Sequence, residues 1–238
     1  MLIMSDSTHS PTTPPSGLYG LAADWSGDGN TFKVPWGKAM MWVFLLSDTF
    51  IFGIFLSGYM AVRMTTAEPW PNPSEVFALQ VGTTSLPLLL IAIMTFVLIS
   101  SSGTMAMAVN FAYRGERRRA AVLMLATAAL GASFVGMQAF EWTKLIVSEG
   151  IRPWSNPLGA AQFGACFFMI TGFHGLHVSA GVIYLTTVAT RLLRHRPSDG
   201  EAPDDGRSGD ESRVEIAGLY WHFVDLVWVF IFAFFYLW

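Results

Sequence analysis

Five stretches of this chain are each long and apolar enough to cross a membrane: about Ala39–Val62, Thr84–Phe111, Ala120–Val147, Leu158–Leu193 and Val214–Trp238. A span needs about 20 mostly apolar residues to cross a hydrocarbon layer roughly 30 Å thick. No water reaches the backbone there, so a lone strand would leave its N–H and C=O groups unpaired and each run must be helical. Composition closes the alternative of a soluble domain. Charged residues make up 13% of the chain, whereas soluble domains carry about 25%. The surface must therefore face lipid, and the predicted fold class is all-α, a polytopic five-helix bundle over residues 35–238. The fourth run exceeds one span, so its ends are expected to pass beyond the hydrocarbon. Between the first two spans Glu68-Pro69-Trp70-Pro71-Asn72-Pro73 reads as a rigid turn with an interfacial tryptophan. Pro87 is placed in the first turn of the second span, where its missing N–H costs little.

The segments between the runs set the orientation. Residues 1–34 are polar and rich in Ser, Thr, Pro and Gly, and no apolar stretch of signal-peptide type occurs there. They read as a flexible cytoplasmic leader. With the N-terminus inside, eleven of the fourteen Lys and Arg residues fall on the cytoplasmic side, leaving Arg63, Lys144 and Arg152 outside. The excess of positive charge predicts N-in and C-out, with the C-terminus periplasmic. The loop at 195–213 is acidic and poor in apolar residues, which predicts a disordered, solvated linker. A formal net charge of −3 points to no nucleic-acid partner, and the single cysteine, Cys166, reads as a small residue within an apolar run.

Ionisable groups at membrane depth are costly and turn towards the bundle interior. Here they are Asp48, Glu141, His174, His177, His222 and Asp225. His174 and His177 share one helix face, as do His222 and Asp225, because residues three apart are neighbours on a helix. That spacing predicts a hydrogen bond between His222 and Asp225. At 1.5 Å per residue, Asp48 lies ~14 Å, Asp225 ~15 Å and His177 ~20 Å from the cytoplasmic side, so the three are expected to be near one another. Glu141 lies towards the outer face. Three intramembrane histidines raise the possibility of haem or metal ligation, which wants facing histidine pairs. No second pair is evident, and a hydrogen-bonded polar network is the preferred reading. The small residues Gly172, Gly175, Ser179, Ala180 and Gly181 predict a close-packed seam on the fourth helix. Trp142, Trp154, Trp221, Trp228 and Trp238 mostly fall near span ends, where an aromatic belt sits.

The same residues carry a family resemblance. Thr171-Gly172-Phe173-His174-Gly175-Leu176-His177-Val178 and Tyr220-Trp221-His222-Phe223-Val224-Asp225-Leu226-Val227-Trp228 resemble the signatures of subunit III of haem–copper respiratory oxidases. Gln138-Ala139-Phe140-Glu141-Trp142 is similar to the family's Gln-x-x-Glu-aromatic step, and Glu215 stands where the family has a glutamate at the start of its last helix. The likeness runs from about Trp36 to Trp238 and is to the short, five-helix bacterial form. One departure is that Leu46-Ser47-Asp48 puts an aspartate where the family has a buried, carbodiimide-reactive glutamate.

The resemblance implies a multi-pass protein of the bacterial cytoplasmic membrane that holds no redox centre itself. Haem and copper would reside in subunits I and II, with cytochrome c or quinol as electron donor to a complex that reduces O₂ to water and pumps protons. It also implies structural phospholipids, with Trp221, Arg213 and Trp142 as candidate contacts, and support of proton uptake by subunit I. Two other readings are an accessory subunit associated with nitric oxide reductase and an independent proton-coupled carrier. The carrier reading lacks the inverted repeats and broken helices such proteins show.

Overall fold

A computed structural model describes residues 36–81, 84–86, 88–194 and 205–237. Residues 1–35, 82–83 and 195–204, with Pro87 and Trp238, lie outside the described residues, so the leader and the position given to Pro87 are not addressed by it. The chain order is α1 (Trp36–Thr65), α2 (Pro73–Val76), β1 (Leu79–Val81), β2 (Thr84–Leu86), α3 (Leu89–Tyr113), α4 (Arg117–Val147), α5 (Ala161–Arg194) and α6 (Asp205–Phe232). A π-helical turn, Ala233–Leu237, continues α6. All five expected spans are present as long apolar helices, and α5, at 34 residues, is ~51 Å long, well beyond the hydrocarbon thickness.

Two boundaries differ from the sequence expectation. The second span begins at Leu89 rather than Thr84, because Thr84–Leu86 pairs antiparallel with Leu79–Val81 as a short hairpin. Apolar β-branched and helical residues are indistinguishable by hydropathy over so few positions. The last helix also reaches back to Asp205, so the end of the 195–213 stretch is helical rather than linker. Asp210 explains part of this, since it accepts from Arg213 one turn on (3.2 Å) and pairs with Arg117 of α4 (3.3 Å).

Helices α3, α4, α5 and α6 form a four-helix core, and α1 lies outside it against α5 and α6. The buried positions of α4 show why it sits centrally. Ala120, Met124, Thr127, Ala128, Gly131, Phe134, Gln138, Glu141 and Leu145 recur every third or fourth residue and form one stripe. Trp221 of α6 fills the middle of this core. Its ring lies against Gly131 of α4 and Gly181 of α5, and its Nε1 donates to Ser101 Oγ of α3 at 2.9 Å. The expected seam on α5 is partly present: Gly172 receives Trp142 and Gly181 receives Trp221, whereas Gly175 faces open space.

The loop ends of the bundle are held by aromatic and main-chain contacts. Trp70 lies edge-on to Tyr59 (5.6 Å) and Phe163 (5.7 Å), so the proline-rich turn folds onto the bundle. Ala160 N donates to Pro69 O at 3.1 Å. Asn72 caps α2 by accepting from Ser74 N at 3.2 Å, and Lys144 Nζ donates to the carbonyl of Ala78. At the opposite end Lys38 of α1 and Glu215 of α6 pair at 2.5 Å.

Candidate functional site: the buried polar groups

The intramembrane ionisable residues do not form one network. They divide into three groups, set by which helix faces which. The first joins α1 to α5. Asp48 is 3% exposed, and its Oδ1 lies 3.5 Å from Nε2 of His177. His177 Nδ1 is 2.8 Å from the carbonyl of Phe173, one turn back, and donates to it. That leaves Nε2 as the atom turned to the aspartate. A separation of 3.5 Å is long for a hydrogen bond, and charge attraction acts across it when the imidazole is protonated. Tyr220 of α6 closes the group by donating its hydroxyl to His177 O at 2.9 Å. The expected Asp48–His177 proximity is therefore present.

The second group joins α6 to α3. Nδ1 of His222 is 2.6 Å from Ser102 Oγ, so its partner is a serine of the facing helix and not Asp225 one turn away. Asp225 is buried, and among the described residues neither of its oxygens has a hydrogen bond. The hydroxyls of Ser102 and Ser101 on α3 lie close enough to act on its carboxyl. Ser102 is engaged with His222, while Ser101 donates to Leu98 O and accepts from Trp221. The His222–Asp225 bond expected from spacing is absent, and Asp225 faces α3 rather than joining Asp48 and His177. Spacing within one helix says that two side chains share a face, but the facing helix decides which partner is closer.

The third group lies at the α2 end of the bundle. Glu141 Oε2 accepts from Gln138 Nε2 at 3.0 Å and from Tyr236 OH at 3.3 Å. Tyr236 was not foreseen as a site residue. The π-turn that ends α6 makes it buried beside its neighbour Phe235, which a regular helix would rotate further round. Between the second and third groups stands a layer of rings. Phe134 meets Trp228 edge-on at 4.7 Å, Trp228 donates to Thr95 at 3.0 Å, and Phe167 and Phe235 lie behind. His174 is embedded in this layer, stacked on Trp228 at 5.5 Å and edge-on to Phe134 at 5.9 Å. Neither of its ring nitrogens has a hydrogen-bond partner among the described residues.

Two tryptophans read as belt residues, one of them the lipid candidate Trp221, change place. Trp221 is fully buried, so it cannot contact a phospholipid from outside and acts as the core key described above. Trp228 is likewise internal and belongs to no aromatic belt. Both positions were read from their distance to a span end, which reports depth but not which face points inward. Trp142 is half-buried, donates to Thr171 Oγ1 at 3.3 Å and lies on Gly172. Arg213 remains exposed at the start of the last span. Among the described residues no three His, Cys, Asp or Glu side chains converge as a metal-ligand set. His177 and His222 sit in different groups, and His174 lies in the ring layer.

The family model for cytochrome c oxidase subunit III matches residues 22–238. Quinol oxidase subunit 3 of Bacillus subtilis (strain 168) is 32% identical over 192 residues, covering 81% of this chain and 82% of that protein. Probable quinol oxidase subunit 3 of Staphylococcus aureus (strain USA300) is 29% identical over 206 residues, covering 87% and 90%.

Proposed function

Because this multi-pass membrane chain belongs to the cytochrome c oxidase subunit III family, we propose that it is the non-redox third subunit of a quinol-oxidising terminal oxidase. Alignment over more than four fifths of both chains with relatives named quinol oxidase subunit 3 is the observation that carries the reading, and it favours quinol over cytochrome c as donor. Haem and copper belong to the partner subunits I and II. In support, the three intramembrane histidines face separate partners: His177 turns to Asp48, His222 to Ser102, and His174 lies among aromatic rings. None of these arrangements offers two imidazoles to one ion.

The chain's own work is mechanical and electrostatic. It presents a broad apolar surface to lipid and to its partners, while a rigid, Trp-keyed core keeps that surface in one shape. It lies in the bacterial cytoplasmic membrane with its N-terminus inside, consistent with the bias of Lys and Arg. Phospholipid at Arg213 and Trp142, and support of proton uptake by the Asp48–His177 pair in a complex that pumps protons, are parts of the same proposal. The test is capture of the complex through this chain in mild detergent. Co-purifying subunits I and II, haem bands, and O₂ reduction driven by quinol but not by reduced cytochrome c are expected. Capture of a nitric oxide reductase, or iron or copper remaining stoichiometric with the chain stripped of its partners, would refute it.

A further inference from the structure

The third polar group has a feature that the oxidase reading does not use. Glu141 Oε2 takes two hydrogen bonds, but Oε1 takes none among the described residues, although Glu141 is only 3% exposed. Against this carboxyl lies a cavity of about 10 Å³ walled by Val76, Phe77, Leu90, Lys144 and Leu145. That is the space of about one water molecule, which needs at least two polar partners to stay. Two of the lining residues, Glu141 and Lys144, carry polar groups that can supply them. Lys144 is one turn further along α4 and reaches to the carbonyl of Ala78, so it stands between the cavity and the loop. On the other side of Glu141, Phe167, Phe235, Trp228 and Phe134 separate it from Asp225, His222 and the serines of α3.

We propose that Glu141 is a proton-binding site in exchange with the aqueous phase on the α2 side of the bundle, through one water held between its carboxyl and the Lys144 ammonium. The step is a simple transfer. The carboxyl O–H breaks, its proton passes to the water, and that water releases a proton to bulk, leaving a carboxylate. The charge left behind is met by Lys144, Gln138 Nε2 and the Tyr236 hydroxyl. Among the described residues the other elements at the site bring no further charge: α2 contributes Val76 while Glu75 faces solvent beside Asn72, the residue after it contributes Phe77, and α3 contributes Leu90. The ring layer blocks transfer to the second polar group, so the site serves one face only.

Infrared difference spectroscopy on the intact complex in nanodiscs tests this, since it reads this carboxyl whatever donor the complex uses. A protonated-carboxyl C=O band that is missing in Glu141→Gln should shift on exchange into D₂O within the mixing time, and should be lost reversibly as pH rises. Val76→Ile adds one methyl to the cavity, and should keep the band but slow its D₂O shift to hours. Lys144→Met removes the nearby cation, so its band should persist to higher pH than in the wild type. This variant also identifies the band if Glu141→Gln fails to assemble. A Glu141 band that ignores D₂O for hours in the wild type, no such band at any pH, or equally fast exchange in Val76→Ile would overturn the proposal.

Discussion

Replacing Gly131 by Ala tests whether Trp221 keys the core as described. A Cβ at this position would lie 2.9 Å from both Trp221 Cζ2 and Val182 Cγ2, with Trp221 Cη2 nearer still. The indole cannot retreat. Its far edge already meets Gly181, where a Cβ would come within 2.9 Å of Cζ3, and its Nε1 is tied to Ser101. Overpacking a filled core costs about 1–3 kcal/mol, and a fixed ring on one side puts this site near the upper end. Alanine favours the helix over glycine by about 1 kcal/mol, which offsets part of the clash. A net loss of about 2 kcal/mol remains. Gly136, five residues along the same helix, has nothing within 4 Å of its would-be Cβ and is the control, because Gly136→Ala keeps only the helix preference. Thermal unfolding of the detergent-solubilised protein, followed by tryptophan fluorescence, should show Gly131→Ala several degrees below wild type and Gly136→Ala at or above it. Trp221→Leu in the Gly131→Ala background should recover part of the loss that the clash causes. If Gly131→Ala matched Gly136→Ala, the indole would not occupy the space between α4 and α5, and the account of the core would fail.

Other outcomes follow from the same geometry. Ser102→Ala removes the partner of half-buried His222 and should lower stability by about 1 kcal/mol, read as earlier unfolding, while Asp225→Ala should leave His222 unaffected. Lys38→Met breaks a partly exposed pair with Glu215 and should cost less than about 1 kcal/mol; the difference should fade in high salt, which screens such pairs. Asp48→Asn keeps the shape of the group facing His177, so initial O₂ reduction by the assembled complex should stay near normal while selective carbodiimide labelling at this position is lost. An immediate, near-complete loss of turnover would make Asp48 part of an obligatory proton route.

What the sequence determined alone is what lipid enforces. Runs such as Ala120–Val147 must be helices because hydrocarbon offers the backbone no partner, so span number and fold class were legible from hydropathy. The turning inward of Asp48, Glu141, His174 and Asp225 was legible for the same reason. The signatures around His174 and His222 also carried the family. Partners were not legible, since they depend on the rotation and height of one helix against another. Asp48 met His177 because α1 lies against α5, whereas His222 turned to Ser102 because α3, not its own helix, presents the nearer hydroxyl. Trp221 and Trp228 looked like belt residues by depth, yet both point inward, because Gly131, Gly181 and Thr95 on neighbouring helices leave room and a partner for an indole. Hydropathy measures how deep a residue sits. Only the assembled helices decide what it touches there.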